Sequence, residues 1–197
     1  ILNRNQYISG HCCAASFLFQ ALKKVGTDND QGEYYLPDIV RIGVAQGKKV
    51  QAVVTPDEQE VQGINDRIGL ARAERLMRSR ILEQHMTNGV TLIDPAATYI
   101  EANVQIGQDT TIHPGCSIRG ASTIGTGCII ESNCLIAGSR IGNGVHVKPS
   151  CVIDESRIDD QAVIGPFAHL RPQTFIEERA RVGNFVELKK SRLGRGS

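Results

Sequence analysis

Aliphatic residues recur at every sixth position through the second half of the chain. The spacing holds for 17 positions and is interrupted by three single-residue slips, which follow Ile136, Ile153 and Leu188. The aliphatic positions are Ile100, Ile106, Ile112, Ile118, Ile124, Ile130, Ile136, Ile141, Val147, Ile153, Ile158, Ile164, Leu170, Ile176, Val182, Leu188 and Leu193. A repeat sustained over this length is a stronger guide to the fold than any local helix or strand pattern.

A small residue follows most of these aliphatics four positions later. The small residues are Thr110, Cys116, Ser122, Cys128, Cys134, Val145, Cys151, Ala162, Ala168, Thr174, Ala180 and Val186. One bulky and one small inward position per six residues is typical of a short strand followed by a sharp corner, and three such sides close a triangular coil. The pattern predicts a hexapeptide-repeat parallel β-helix of about five to six coils, ~27 Å tall at ~4.8 Å per coil.

Glycines often come directly after the aliphatic position, and we expect backbone strain at the corners to favour them. They are Gly107, Gly125, Gly142, Gly165 and Gly183. The hexad does not set the hand of the coil.

Residues 1–65 lack the hexad and predict α/β structure. A helix is predicted over residues 16–24, and a second helix begins at Pro37 and stops at Gly47. The run from Lys49 to Val54 predicts a strand. Two helices and a strand over so short a segment indicate the end of an α/β domain whose sheet lies mostly upstream.

A longer helix is predicted from about Arg67 to Met86, with Asn65 or Asp66 as its N-cap. Asn88 and Gly89 end it. Its predicted inward residues are Leu70, Ala73, Met77 and Ile81. The chain therefore divides into an α/β segment over residues 1–65, a linker helix over 66–90 and a β-helix over 91–197.

Composition narrows the function classes without choosing one. The net charge of +1 gives no argument for nucleic-acid or membrane binding, and no apolar run approaches the ~20 residues of a membrane-spanning helix. Four of the six cysteines fall on the small inward position, which predicts buried, reduced thiols as in a cytosolic protein. Because the chain starts at Ile1 without Met and stops at Ser197 without a cap for the solenoid, we expect a fragment of a longer protein.

Four strings of sequence carry a family resemblance. They are QGEYYLPDIV (residues 31–40), VQGINDR (61–67), IGPFAHLRP (164–172) and VGNFVELKK (182–190). Together, and in this order, they resemble the bifunctional enzymes N-acetylglucosamine-1-phosphate uridylyltransferase / glucosamine-1-phosphate N-acetyltransferase. At Ile8, where the family usually carries Asn before Ser/Thr-Gly, the sequence departs from the pattern.

The resemblance implies a cytoplasmic bacterial enzyme that makes UDP-N-acetylglucosamine for cell-wall precursors. In the family, a left-handed β-helix transfers acetyl from acetyl-CoA to glucosamine-1-phosphate. A Rossmann-like domain, of which residues 1–65 would be the C-terminal part, then transfers UMP from UTP with Mg²⁺. The family assembles as a homotrimer. No nucleic-acid or membrane partner is implied.

The resemblance also assigns individual residues. Arg171 and Lys189 match the sugar-phosphate ligands, and Asn65 matches a nucleotide-site residue that binds Mg²⁺. Glu187 is a candidate to orient the substrate amine or a catalytic base. The family's catalytic His lies beyond Ser197, so this chain by itself is expected to be inactive.

Spacing adds that Arg171 and Lys189 are 18 residues apart with no slip between them, which is one full coil. They should therefore lie on the same side, ~4.8 Å apart. A guanidinium fork and an ammonium suit a phosphate dianion, although two solvated surface cations would show the same spacing.

Three alternatives stay open from the residues alone. The first is a monofunctional sugar-phosphate nucleotidyltransferase whose β-helix serves only assembly. The second is a non-catalytic solenoid scaffold. The third is a zinc site of three histidines, His113, His146 and His169, whose phases in the hexad are not equivalent.

Overall fold

A computed structural model describes residues 12–54, 56–57 and 63–197. Its contacts divide the chain into two compact units, Ile1–Ala73 and Glu74–Ser197. The departure from the family pattern at Ile8 lies outside the described residues.

The first unit contains two short helices where the sequence predicts them. Helix α1 covers Ala15–Leu22 and helix α2 covers Asp38–Ala45. They pack through a small apolar cluster in which Ala21, Val25 and Ile39 are buried. Pro37 stands immediately before α2, as expected for a residue that presets a helical φ.

The strand predicted from Lys49 to Val54 is wrong. Residues 48–54 form no strand with any described part of the chain, and the side chains of Val53 and Val54 are 88% and 90% exposed. A β-branched run needs a neighbouring strand to pair its backbone groups and a packed face to cover its side chains. No described segment supplies either one.

Helix α3 covers Arg67–Thr87. Asp66 is its N-cap, because its carboxylate accepts a hydrogen bond from the Gly69 amide at 2.6 Å. Gly89 ends the helix with φ of +89°. Both ends were predicted to within one residue, and of the two N-cap candidates the structure selects Asp66.

The inward row predicted for α3 is partly wrong. Leu70 and Met77 are each 57% exposed. The buried row instead runs through Leu82, which packs into the core of the second unit beside half-buried Ile81. The charged residues of the helix keep most of its circumference in water, so only this narrow row is covered.

The second unit is a left-handed hexapeptide-repeat β-helix of six coils, which confirms the predicted fold class. Its strands are β1 Thr91–Leu92, β2 Tyr99–Ile100, β3 Gln105–Ile106, β4 Thr111–Ile112, β5 Ser117–Arg119, β6 Thr123–Ile124, β7 Ile129–Ile130, β8 Leu135–Ala137, β9 Arg140–Ile141, β10 His146–Val147, β11 Val152–Asp154, β12 Arg157–Ile158, β13 Val163–Ile164, β14 His169–Leu170, β15 Phe175–Ile176, β16 Arg181–Val182, β17 Glu187–Leu188 and β18 Arg192–Leu193.

These strands form three parallel sheets of six strands each. The first sheet contains β1 and every third strand after it, the second sheet starts from β2, and the third starts from β3. The β-helix has 18 strands, one more than the 17 aliphatic positions of the hexad, and the additional strand is β1. A 3₁₀ turn over Pro95–Ala97, capped by the Asp94 carboxylate, lengthens the path from β1 to β2 and hides β1 from the six-residue spacing.

All three slips lie at one corner, between the second and third sheets. Ile118 and Ile124 are six residues apart on one coil, whereas Ile136 and Ile141 are five apart on the next. Ile118 still pairs with Ile136, and Ile124 with Ile141. The turn therefore loses a residue while the inward register of both sheets is kept, and these isoleucines stay at most 4% exposed.

The glycines at the corners after β3, β6 and β9 are required by space, which corrects the predicted reason. A Cβ on Gly107 would lie 2.7 Å from the Gly125 carbonyl carbon, and one on Gly125 would lie 2.6 Å from the Gly142 carbonyl oxygen. None of the three has a positive φ. The backbones of successive coils approach too closely here for any side chain.

The small inward residues are buried as predicted, except for Val186, which is half-buried, and many also hydrogen-bond. The Ser139 amide donates to Ser122 Oγ at 3.2 Å, and the Ser156 amide donates to Ser139 Oγ at 3.0 Å. Cys116 Sγ donates to the Glu131 carbonyl on the following coil at 3.1 Å. These groups satisfy backbone atoms at the corners, so hydrogen bonding as well as size explains the Ser, Thr and Cys residues there.

Candidate functional site

Arg171 and Lys189 lie side by side on the outer face of the second sheet. Leu170 of β14 pairs with Leu188 of β17, and both leucines point into the coil. The Arg171 amide donates to the Leu188 carbonyl at 2.8 Å, which keeps this register one residue further. Because side chains alternate along a strand, the residues that follow the two leucines both face outward on neighbouring coils.

Glu187 is tied directly to Arg171. Arg171 Nη1 donates to Glu187 Oε1 at 2.8 Å, with the two side chains 40% and 57% exposed. The hydrogen bond from Arg171 is the main reason that the pKa of Glu187 lies below its ordinary value, and the charges of Arg171, His169 and Lys189 add to the effect. The carboxylate therefore stays ionised and keeps the guanidinium in place.

His169, Arg171, Glu187 and Lys189 form what we call the charged cluster. His169 is the register partner of Glu187 on the coil below, so the cluster occupies two adjacent coils of a single sheet. Arg171 uses one of its five N–H donors on Glu187, which leaves the rest of the fork and the Lys189 ammonium for an anion. Such a surface suits a ligand with a phosphate at one end and a cationic or polar group beside the carboxylate.

Two phenylalanines next to the charged cluster were not predicted from the sequence. Phe167 and Phe185 stack with ring centroids 5.2 Å apart and planes 5° apart. Their side chains are 51% and 77% exposed. The signal was present, since each Phe stands three residues before an inward leucine, Leu170 or Leu188, in IGPFAHLRP and VGNFVELKK.

Asn65 is an exposed residue of the first unit and is not part of the charged cluster. The carboxylate beside it, on Asp66, is engaged by the Gly69 amide. Within the described ranges, no group of three or more His, Cys, Asp or Glu side chains is placed to hold a metal ion. Asn65 offers one neutral amide oxygen, which does not make a Mg²⁺ site by itself.

The three histidines considered for zinc are not gathered by the part of the fold that the structure describes. His146 Nε2 lies 2.5 Å from Glu131 Oε1, in an ion-pair geometry on the first sheet. His169 belongs to the second sheet. In the described residues, no helix is long and apolar enough to cross a membrane.

Comparison with known proteins gives one family-model match, to the GMPPB C-terminal domain over residues 99–194. The bifunctional protein GlmU of Geobacter sulfurreducens is 52% identical over 95% of this chain and 43% of its own length. The protein of the same name from Clostridium botulinum is 47% identical over 98% of this chain and 42% of its own length. The chain thus spans about two fifths of these relatives, and the resemblance predicted from the motifs is confirmed.

Among solved structures, PerB from Caulobacter crescentus in complex with CoA and GDP-perosamine matches at a TM-score of 0.35. The sequences are 15% identical, and the match covers 60% of this chain and 57% of that chain. Likeness at this level carries no functional argument.

Proposed function

We propose, from its similarity to the bifunctional GlmU proteins over 95% of its length, that this chain supplies the sugar-phosphate grip of an acetyltransferase. The acceptor is glucosamine-1-phosphate and the acetyl donor is acetyl-CoA. The observation that carries the proposal is the placing of Arg171 and Lys189 on one face of neighbouring coils. The activity belongs to the full-length protein, of which this chain is one part.

The phosphate is bound by the guanidinium fork of Arg171 and the ammonium of Lys189. A phosphate dianion accepts several charge-assisted hydrogen bonds, and the fork supplies two of them in a fixed geometry. The hydrogen bond to the carboxylate of Glu187 favours one orientation of the Arg171 guanidinium before the substrate arrives. Preordering of this kind lowers the entropy lost when the substrate binds.

Glu187 acts as a positioning residue in this proposal. The amine of the substrate must lose its proton before or while it attacks the thioester carbonyl, and that step needs a base. A carboxylate whose pKa lies below its ordinary value is a poor proton acceptor. Glu187 therefore holds Arg171 and is placed beside the sugar, while another group removes the proton.

We extend the proposal to uridylyl transfer from UTP to N-acetylglucosamine-1-phosphate by the same full-length protein. The two activities together make UDP-N-acetylglucosamine for cell-wall precursors in the cytoplasm. Asn65 would contribute an amide oxygen at a Mg²⁺-dependent nucleotide site. The described residues do not by themselves complete that site.

We also propose a homotrimer built through the β-helix, with no nucleic-acid or membrane partner. The resemblance to the bifunctional enzymes motivates the trimer. A full-length protein that is monomeric by light scattering at micromolar concentration would overturn it.

The two rival functions differ from this proposal in one respect. A monofunctional nucleotidyltransferase and a non-catalytic scaffold would both leave the charged cluster without a substrate. The ordered Arg171–Glu187 pair beside Lys189 favours the sugar-phosphate site over either rival.

Kinetics of acetyl transfer by the full-length protein test the proposal. We expect Arg171→Ala and Lys189→Ala each to raise KM for glucosamine-1-phosphate about 10- to 100-fold, since hydrogen bonds to charged groups contribute about 1.5–3 kcal/mol. Arg140→Ala removes an exposed arginine from the third sheet and is the matched control. Unchanged KM in both cluster variants would remove the sugar-phosphate assignment.

A further inference from the structure

We propose that the stacked rings of Phe167 and Phe185 form a second subsite, which binds the amino-sugar part of the substrate beyond its phosphate. The inference rests on the proposed function and deepens it. It makes the site selective for an aminohexose phosphate over a bare phosphate.

The backbone at these two positions is unusual for phenylalanine. Phe167 and Phe185 both have φ of +55°, the left-handed conformation that the corner turns demand. Bulky residues rarely adopt it. The other non-glycine residues with positive φ in the described chain are all polar or charged: Asp109, Asn133, Ser150, Glu155, Gln161, Gln173, Arg179 and Lys190. Two exposed phenylalanines therefore occupy left-handed positions that are polar, charged or glycine elsewhere in the described β-helix.

The change from polar to aromatic coincides with the charged cluster. At the same corner, the three preceding coils carry Gly115, Asn133 and Ser150 in the left-handed conformation. The aromatic residues appear only on the next two coils, which are the coils that carry Arg171 and Lys189. The rings stack on each other, yet both stay more than half exposed, so they bury little surface in the folded chain.

The order along the two coils follows the order of groups in the substrate. Phe167 comes two residues before His169, which comes two residues before Arg171 on the same outer face. The upper coil repeats this with Phe185, Glu187 and Lys189, so the rings at the corner, the Glu187 carboxylate and the cation pair succeed one another along the two coils. A phosphate on the cations leaves the hexose to extend toward the carboxylate and the rings.

The chemistry of the rings suits that end of the ligand. An aromatic face is apolar and carries the negative side of a quadrupole. It therefore packs against the C–H face of a pyranose. The amine is on C2, next to the phosphate-bearing C1, so it lies closer to the Glu187 carboxylate, and both that carboxylate and the negative face of the rings attract it. A neutral hexose phosphate would keep the packing of its sugar against the rings. It would lose the electrostatic attraction, because it has no ammonium group.

The experiment is a titration of the full-length protein with glucosamine-1-phosphate, glucose-1-phosphate and inorganic phosphate. For the double variant Phe167→Ala/Phe185→Ala we expect about tenfold weaker binding of glucosamine-1-phosphate and a smaller loss for glucose-1-phosphate. Inorganic phosphate should bind as in the wild type. Phe175→Ala is the matched control, because Phe175 is an aromatic residue on the outer face of the third sheet, between Arg157 and Arg192. It should leave all three affinities unchanged.

The milder variant Phe185→Leu guards against a folding defect, since it keeps apolar bulk while losing the aromatic face, and it should lose the preference for the amino sugar. Three outcomes overturn the inference: equal affinities in wild type and Phe variants, equal losses for inorganic phosphate, or dissociation of the oligomer, which would make the rings a contact between copies of the chain. Arg171→Ala separates the two proposals. If it weakens phosphate binding while the Phe variants change nothing, the phosphate grip stands and only the aromatic subsite fails.

Discussion

At the scale of single residues, the Arg171–Glu187 pair shows how an open surface can hold a guanidinium still. Exposed ion pairs contribute little to folding stability, so this pair is better understood as a device for orientation. An arginine side chain has about 2 kcal/mol of rotamer entropy to lose on binding. Glu187 holds the guanidinium of Arg171 through one hydrogen bond, and the proposed function places the phosphate at the remaining donors of that fork.

The pairing predicts a measurable titration. Because Arg171 favours the charged form of Glu187, the folded-state pKa lies below the unfolded one. The ion pair is then fully present above the ordinary glutamate pKa of ~4.3 and is lost only as pH falls through the lower folded value. We expect NMR titration of the Glu187 side-chain carboxyl to give a pKa below the ordinary glutamate value of ~4.3.

Arg171→Ala should return the pKa of Glu187 to the ordinary range, and Arg140→Ala should not change it. An ordinary value for Glu187 in the wild-type protein would mean that the ion pair is not formed in solution.

At the scale of elements, the corners set the structure more than the strands do. The strands are two or three residues long, so each coil depends on turns that return the chain into register. The stacked glycines after β3, β6 and β9 let successive backbones come within van der Waals contact. The hydroxyls of Ser122 and Ser139 accept hydrogen bonds from backbone amides at a different corner.

Two glycine variants test whether glycine is required at these corners because successive backbones lie close together. Gly125→Ala should destabilise the β-helix by at least about 1–3 kcal/mol, because the new methyl would overlap the backbone of Gly142. Gly183 also follows an inward aliphatic and has no positive φ, but a Cβ there would find its nearest neighbour, Val186 Cγ2, at 4.0 Å. Gly183→Ala should therefore change stability by less than about 1 kcal/mol.

Urea unfolding followed by circular dichroism measures both glycine variants. Equal destabilisation would contradict the spatial explanation, because only the methyl at position 125 would overlap the backbone of the next coil.

At the scale of the whole molecule, the β-helix could be predicted because its inward positions repeat with a fixed period. The position of a residue in the hexad count determines the side, the coil and the face of the β-helix that it occupies. The stacking of Lys189 over Arg171 could therefore be predicted from their spacing of 18 residues. The first unit has no such repeat. Its strand prediction at Lys49–Val54 failed because a strand depends on a partner that local sequence does not specify.

The remaining features of the site depend on how coils stack, which the hexad does not state. The hydrogen bond from Arg171 to Glu187 joins residues that are 16 apart in sequence. The stacking of Phe167 on Phe185 depends on the directions of two side chains at a corner, which the hexad does not specify. The inward row predicted for α3 is wrong at Leu70 and Met77, which match a helical period but are each 57% exposed. Periodicity predicts which side of an element is apolar only when something covers that side.

A double-mutant cycle on glucosamine-1-phosphate binding by the full-length protein tests most directly whether Arg171 and Lys189 grip one phosphate. If they do, each single variant weakens binding at least about tenfold, and the double variant loses less than the sum, with a coupling of about 0.5–3 kcal/mol. Losses that simply add would mean that the two cations contact the ligand independently. Wild-type affinity in either single variant would contradict the shared phosphate site.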